Sequence, residues 1–119
     1  MEKWIFNKNG QATALICDNV IRDKHGKVRF WVDGNVLYDL SGNHVGWTEN
    51  GVFYDISNNT IGFTNDHTGN LPSIPGIGAI PAMPAMGAIP AKATFKAIHA
   101  RPGFGKWAET LLESYIGDD

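Results

Sequence analysis

The side chains with the most chemical potential in this chain form columns rather than a cluster. Asp23, Asp39 and Asp55 recur at sixteen-residue intervals, and Asn7 stands one interval earlier. In a closed four-fold arrangement these four groups would make a ring of oxygens able to hold a hard cation. The same residues stand three places before Gly26, Gly42, Asn58 and Gly10. An acid so placed is a turn former whose carboxylate accepts local backbone N–H bonds, and this reading takes precedence. His25, His44, His67 and His99 fall in unrelated columns, with no His-x-His, Cys-x-x-Cys or His-Glu-x-x-His spacing. No zinc site is expected from them. Cys17 has no second cysteine to pair with and stands beside Asp18, so its thiol reads as inert rather than nucleophilic. Gly103-Phe104-Gly105-Lys106 follows no predicted strand and lacks the further glycines and hydroxyl residue of a phosphate loop. No catalytic residue, metal or cofactor is expected.

Binding chemistry is better represented. Tyr38 and Tyr54 share a column, and beside Gly46 and Gly62 they read as a surface with room over the sheet for a stacking partner. Ordinary cross-strand packing is the competing explanation. In Lys106 to Ile116, Trp107, Leu111 and Tyr115 recur every fourth residue with Leu112 beside them, one apolar helical stripe ended by Gly117. Such a helix docks into a partner's groove or covers an exposed face of its own domain.

The elements that position these groups come from an internal repeat. Four ungapped copies of a sixteen-residue unit fill residues 4–67: WIFNKNGQATALICDN, VIRDKHGKVRFWVDGN, VLYDLSGNHVGWTENG and VFYDISNNTIGFTNDH. Each copy has two turn signals, at Gly10, Gly26, Gly42 and Asn58, then at Asn19, Asn35, Gly51 and His67. These residue types tolerate positive φ best. Reading both turns as three-residue loops pairs Leu37 with Val45 and Trp47 with Phe53. It puts Ile5, Ile21, Leu37 and Phe53 on one buried face with Leu15, Trp31, Trp47 and Phe63. The expectation is a mainly β fold of eight short antiparallel strands, closed or capped to protect its edges.

The pattern of aliphatic-aliphatic-Tyr-Asp, then Ser-Gly-Asn and Gly-Trp-Thr, resembles the bacterial domain family called the four-fold β flower over residues 4–67, and the resemblance is expected to take in the tail. The resemblance implies a ring of four hairpins and supplies no catalytic residues. The first copy departs most, lacking both the Asp and the Gly-Trp pair.

Beyond residue 67 the chain changes character. Residues 1–67 read as the hairpin domain, 68–91 as a Pro/Gly/Ala-rich segment and 92–119 as a helical tail. Gly69 to Ala91 carries no charge, five prolines and two copies of GAIPA. Its prolines exclude a membrane span. Its isoleucines and methionines leave two readings open, a disordered linker or an extended strap lying on an apolar surface. Lys92 to Arg101 is expected to form a short helix ended by Pro102-Gly103. A net charge of −2 without a basic run argues against a nucleic-acid partner. With one cysteine and no signal-peptide pattern, the expected location is the cytoplasm. Two functional classes remain. The favoured one is a non-catalytic interaction or scaffold module binding a protein partner or itself through Trp107, Leu111, Leu112, Tyr115, Tyr38 and Tyr54. The alternative is a small-ligand or metal-assisted enzyme built on the Asp column.

Overall fold

Each sixteen-residue unit alternates β-branched and aromatic residues between two turns, and each folds as a hairpin. The structure, a computed structural model, describes residues 2–73, 75–103 and 105–108. The strands are β1 (Lys3–Phe6), β2 (Ala12–Cys17), β3 (Val20–Asp23), β4 (Val28–Asp33), β5 (Val36–Asp39), β6 (His44–Glu49), β7 (Val52–Asp55) and β8 (Thr60–Thr64). Every strand pairs antiparallel with its neighbour, and β1 pairs with β8 through Ile5↔Thr64 and Phe6↔Phe63, so the sheet closes as a barrel. Closure removes both edges, as the repeat required. No helix occurs among the described residues.

The turns correct the expected face assignment. The second turn of each of the first three copies is a two-residue loop: Cys17 pairs with Val20, Asp33 with Val36 and Glu49 with Val52. Asp18 and Asn19 have φ of 53° and 65°, and Asn50 and Gly51 have 53° and 79°, as a type I′ turn demands at both central positions. A two-residue turn places Trp47 opposite Tyr54, and Leu37 lies opposite Gly46 rather than Val45. The tryptophan column is therefore on the opposite face from the leucine column.

The faces nevertheless do not exchange from copy to copy, because the first hairpin of each unit contains a bulge. Thr13, Arg29, Val45 and Ile61 are skipped in the four ladders. One extra residue per unit restores the phase of the side chains. Ile5, Ile21, Leu37 and Phe53, from four different hairpins, consequently pack in one cluster with Ala14 and Phe30, which places them inside the barrel. Large and small residues oppose one another there, Phe53 against Gly62 and Leu37 against Gly46. Such alternation fills a small barrel. Ile61 and Ala108 extend the same cluster.

The segment after residue 67 is a strap. It contains no helix over Lys92 to Arg101. Instead it runs around the barrel and is clasped once per hairpin. The backbone N–H groups of Gly78, Gly87, Lys96 and Gly105 donate to the carbonyls of Gly10, Gly26, Gly42 and Asn58 at 2.8, 3.0, 2.9 and 3.1 Å. The donors are nine residues apart and the acceptors sixteen, so nine residues of strap advance by the same blade as sixteen of barrel. The strap is itself a four-fold repeat, GIGAIPAMP, AMGAIPAKA, TFKAIHARP and GFGKWAETL. These bonds fix an extended path against the local helix preference of an Ala-rich segment, a tertiary override of a weak propensity.

Candidate functional site

The acidic column is occupied by its own turns. The side-chain oxygen of Asn7 accepts the N–H groups of Asn9 and Gln11, and Asp23 those of His25 and Lys27. Asp39 accepts from Ser41 and Asn43, and Asp55 from Ser57 and Asn59. Burial raises the Asp23 carboxyl pKa, but the Lys27 and His25 N–H groups and the Arg29 guanidinium at 3.0 Å outweigh it and hold the group below the usual carboxylate range. Among the described residues no three His, Cys, Asp or Glu side chains converge as metal ligands. Cys17 ends β2, and burial, followed by the hydrogen bond with Asp18, pushes its thiol pKa up. That is the direction of lower reactivity.

Tyr38 and Tyr54 are not an open surface. Both lie on the outer face of the barrel with Trp31 and Trp47, and each is only 4% exposed because the strap covers them. Phe95 stacks on Tyr38 with centroids 3.9 Å apart and planes 3° from parallel. The Arg101 guanidinium lies over Tyr54 at 5.1 Å and over Trp47 at 5.5 Å, and its Nη2 bonds Glu49 at 3.1 Å. Gly46 and Gly62 do not open space beside the tyrosines, since they face the interior opposite Leu37 and Phe53.

The strap side chains follow the same step. Phe95 meets Tyr38 and, nine residues earlier, Met86 meets Arg22, whose Nη1 is 3.7 Å from the sulfur and 3.4 Å from the Gly87 carbonyl. Arg22 is 7% exposed, its Nε has no hydrogen-bond partner, and no carboxylate pairs with it among the described residues. A buried guanidinium held this weakly contributes little net stability. Arg22→Met is expected to leave the protein as stable or to raise its stability by up to about 2 kcal/mol. A thermal melt that instead shows a clear loss would mean that the charge has a strong partner.

One further step along each strap unit the sequence alternates again. The His99 N–H donates to His44 Nδ1 at 2.9 Å, and the Ala108 N–H donates to the Thr60 carbonyl at 2.8 Å. The corresponding strap positions on the first two blades are Pro81 and Pro90, which have no N–H. The corresponding barrel residues are Ala12 and Val28, which offer no side-chain acceptor. Proline has no N–H to donate at these two positions, so the bond seen on the third and fourth blades is absent from the first two.

Trp107 belongs to the fold. Its ring tilts against Phe63 at 6.1 Å, its indole N–H donates to Ser73 Oγ at 2.9 Å, and its backbone bridges Thr60. Leu111, Leu112 and Tyr115 lie outside the described residues. Where the strap leaves the barrel, a cavity of about 430 Å³ opens between the β6–β7 turn and the strap, with Tyr54, Asn50, Thr68 and Asn70 on its walls. Glu49 also lines it, with its charge matched by Arg101.

The sequence reasoning missed the principal feature of this surface, the nine-residue step of the strap. The GAIPA pair was its visible part; the third and fourth units hide it by placing Lys96 for glycine and His99 for proline.

The geometry defines a class: a closed barrel of four hairpins bound by its own repeating tail. The chain matches the model of the 4-fold beta flower protein family over residues 3–116 and belongs to that family. The match takes in the strap as well as the barrel. No curated protein and no solved structure matches the chain.

Proposed function

We propose that the protein is a non-catalytic interaction module, a rigid barrel whose strap and C-terminal segment present apolar side chains to a protein partner or to a second copy. One observation carries the reading. Ile80, Ile89 and Ile98 occupy the same place in three successive strap units and are 59%, 49% and 53% exposed. Large aliphatic side chains left this open do little for the fold, and a recurring apolar row on a folded surface marks an interaction site. In the sequence Leu111, which ends the fourth strap unit, and Leu112 and Tyr115 after it continue the apolar supply, while Trp107 anchors that unit on the fourth blade. The turn bonds made by the Asp column favour this reading over a metal-assisted enzyme, because those carboxylates already serve the backbone.

The test is affinity co-purification from the native cell with crosslinking, alongside sedimentation of the pure protein. The full chain is compared with an Ile80→Ser, Ile89→Ser, Ile98→Ser variant and a Leu111→Ala, Tyr115→Ala variant. Loss of a specific partner or of self-association, with an unchanged melting temperature, is the expected result. A monomer without a specific partner in every sample would overturn the proposal.

Trp107→Ala is expected to behave differently. Because the indole packs on Phe63 and bonds Ser73, its removal should lower stability by about 1 to 3 kcal/mol, less than for a fully buried tryptophan. Denaturant unfolding measures the loss. No loss would mean that Trp107 is free to meet a partner.

A further inference from the structure

His44 begins β6 on the outer face and is 4% exposed. The edge of Trp47 is packed against it at 4.5 Å, Tyr38 lies at 6.2 Å, and the ring of His99 stacks at 5.2 Å. Both ring nitrogens are engaged. Nε2 lies 2.9 Å from the Gly46 carbonyl and Nδ1 lies 2.9 Å from the backbone nitrogen of His99. A carbonyl can only accept and a backbone N–H can only donate, so Nε2 must carry the proton and Nδ1 must be bare. The contact between strap and third blade therefore requires neutral His44 in one tautomer. A proton on Nδ1 would set two donors against each other at hydrogen-bond distance, on a ring that is itself buried.

We propose that His44 is an acid-sensitive latch for the strap: its protonation releases the unit around Phe95 to Arg101 from the third blade and uncovers Tyr38 and Trp47, while the other three clasps hold. The selectivity follows from the neighbouring blades. On the fourth, the equivalent N–H donates to the Thr60 backbone carbonyl, which does not titrate. On the first and second the equivalent residues are Pro81 and Pro90 and there is no such bond.

Among the described residues no carboxylate bonds or pairs with His44. Facing His44 are His99 from the strap and the Tyr38 phenol from β5. Beyond the rings of Phe95 and Trp47 lie two cations, Lys92 at 4.7 Å from Phe95 and Arg101 at 5.5 Å from Trp47. The carboxylate of Glu49 is paired with Arg101. Burial is the largest influence on His44 and lowers its pKa from the ordinary histidine value; the Gly46 carbonyl opposes this, and His99 lowers it further. The sign follows from linkage. A group whose pKa is lower in the docked state binds fewer protons there than when released, so docking is fully favoured above about pH 6.5 and weakens as pH falls toward the lower, docked value.

Hydrogen exchange on the full chain, read amide by amide by NMR and corrected for the intrinsic pH dependence of exchange, tests the latch. Between pH 7.5 and 5.5 the protection of the His99 amide should fall several-fold, up to the roughly tenfold that linkage to one histidine allows, with the Gly78 and Gly87 amides unchanged. In His44→Gln the step should vanish. In His99→Ala, which keeps the backbone donor, it should persist. The imidazole nitrogen shifts at pH 7.5 should report the Nε2–H form of His44, a reading that does not depend on any variant folding. The proposal is overturned by a pH-independent His99 amide, by an equal loss at all clasp amides, by a step that survives His44→Gln or disappears with His99→Ala, or by the Nδ1–H tautomer.

Discussion

In Gly26→Ala the strap should come away from the second blade. Gly26 has a φ of 88°, and a Cβ there would fall inside van der Waals contact of the Ala85 carbonyl oxygen, part of the strap passing over the turn. Two costs combine. The left-handed backbone disfavours any Cβ by roughly 1 kcal/mol, and the collision is with backbone, which cannot rotate aside. The expected total is about 2 to 4 kcal/mol, with protease cleavage appearing in the strap before the barrel is cut. Gly34→Ala is the matched control. Its φ is also positive, at 60°, but nothing lies within 4 Å of the added carbon, so only the backbone cost of about 1 kcal/mol should appear. Equal losses for the two variants, or an undisturbed strap in Gly26→Ala, would show that the strap does not press on the turn.

Phe53→Ala should be the most damaging single truncation in the barrel. Its side chain is 1% exposed and lies opposite Gly62, so no neighbouring side chain on that partner strand can move in to fill the space. A loss of about 3 to 5 kcal/mol is expected, a large fraction of the stability of so small a domain. Denaturant titration followed by tryptophan fluorescence would report it, because Trp31 and Trp47 change environment when the outer face opens. A loss below about 1 kcal/mol would mean that the interior can collapse around the gap and that the ring owes its stability to the strap instead.

Much of the barrel was legible because period and turn chemistry are local. The sixteen-residue step and the Asp-led first turns follow from side chains acting within one unit, whereas the residues left the sheet as either closed or capped, and the ring is made by the distant pairing of β1 with β8. The face assignment failed for a local reason as well. Asn50-Gly51 has the signature of a two-residue turn, but a two-residue turn alone would exchange the faces, and the compensating bulge leaves no mark in the sequence. Thr13, Arg29, Val45 and Ile61 share no property that distinguishes them from paired strand residues. The candidate surface failed with it: once Gly46 and Gly62 were placed beside Tyr38 and Tyr54, the tyrosines looked open. Their cover comes from residues more than forty positions away, Phe95 over Tyr38 and Arg101 over Tyr54. Contacts of that separation depend on the path of the strap, and that path is set by clasp bonds from backbone groups, which carry no residue signature.

The two windings of this chain are geared to each other, sixteen residues against nine, and the gearing constrains how such a protein can change length. Deleting one residue between Gly78 and Gly87 would leave the first clasp in place and put the next three out of step, so that the partners of Gly26, Gly42 and Asn58 would all be the wrong residues. Deleting nine would leave one blade bare and every remaining tooth engaged. An insertion in the barrel of anything but a whole hairpin has the same effect from the other side. Inheritance in this fold should therefore proceed by whole units, a blade with its length of strap, while single-residue insertions and deletions are confined to places outside the mesh, such as the stretch between the last strand and the first clasp.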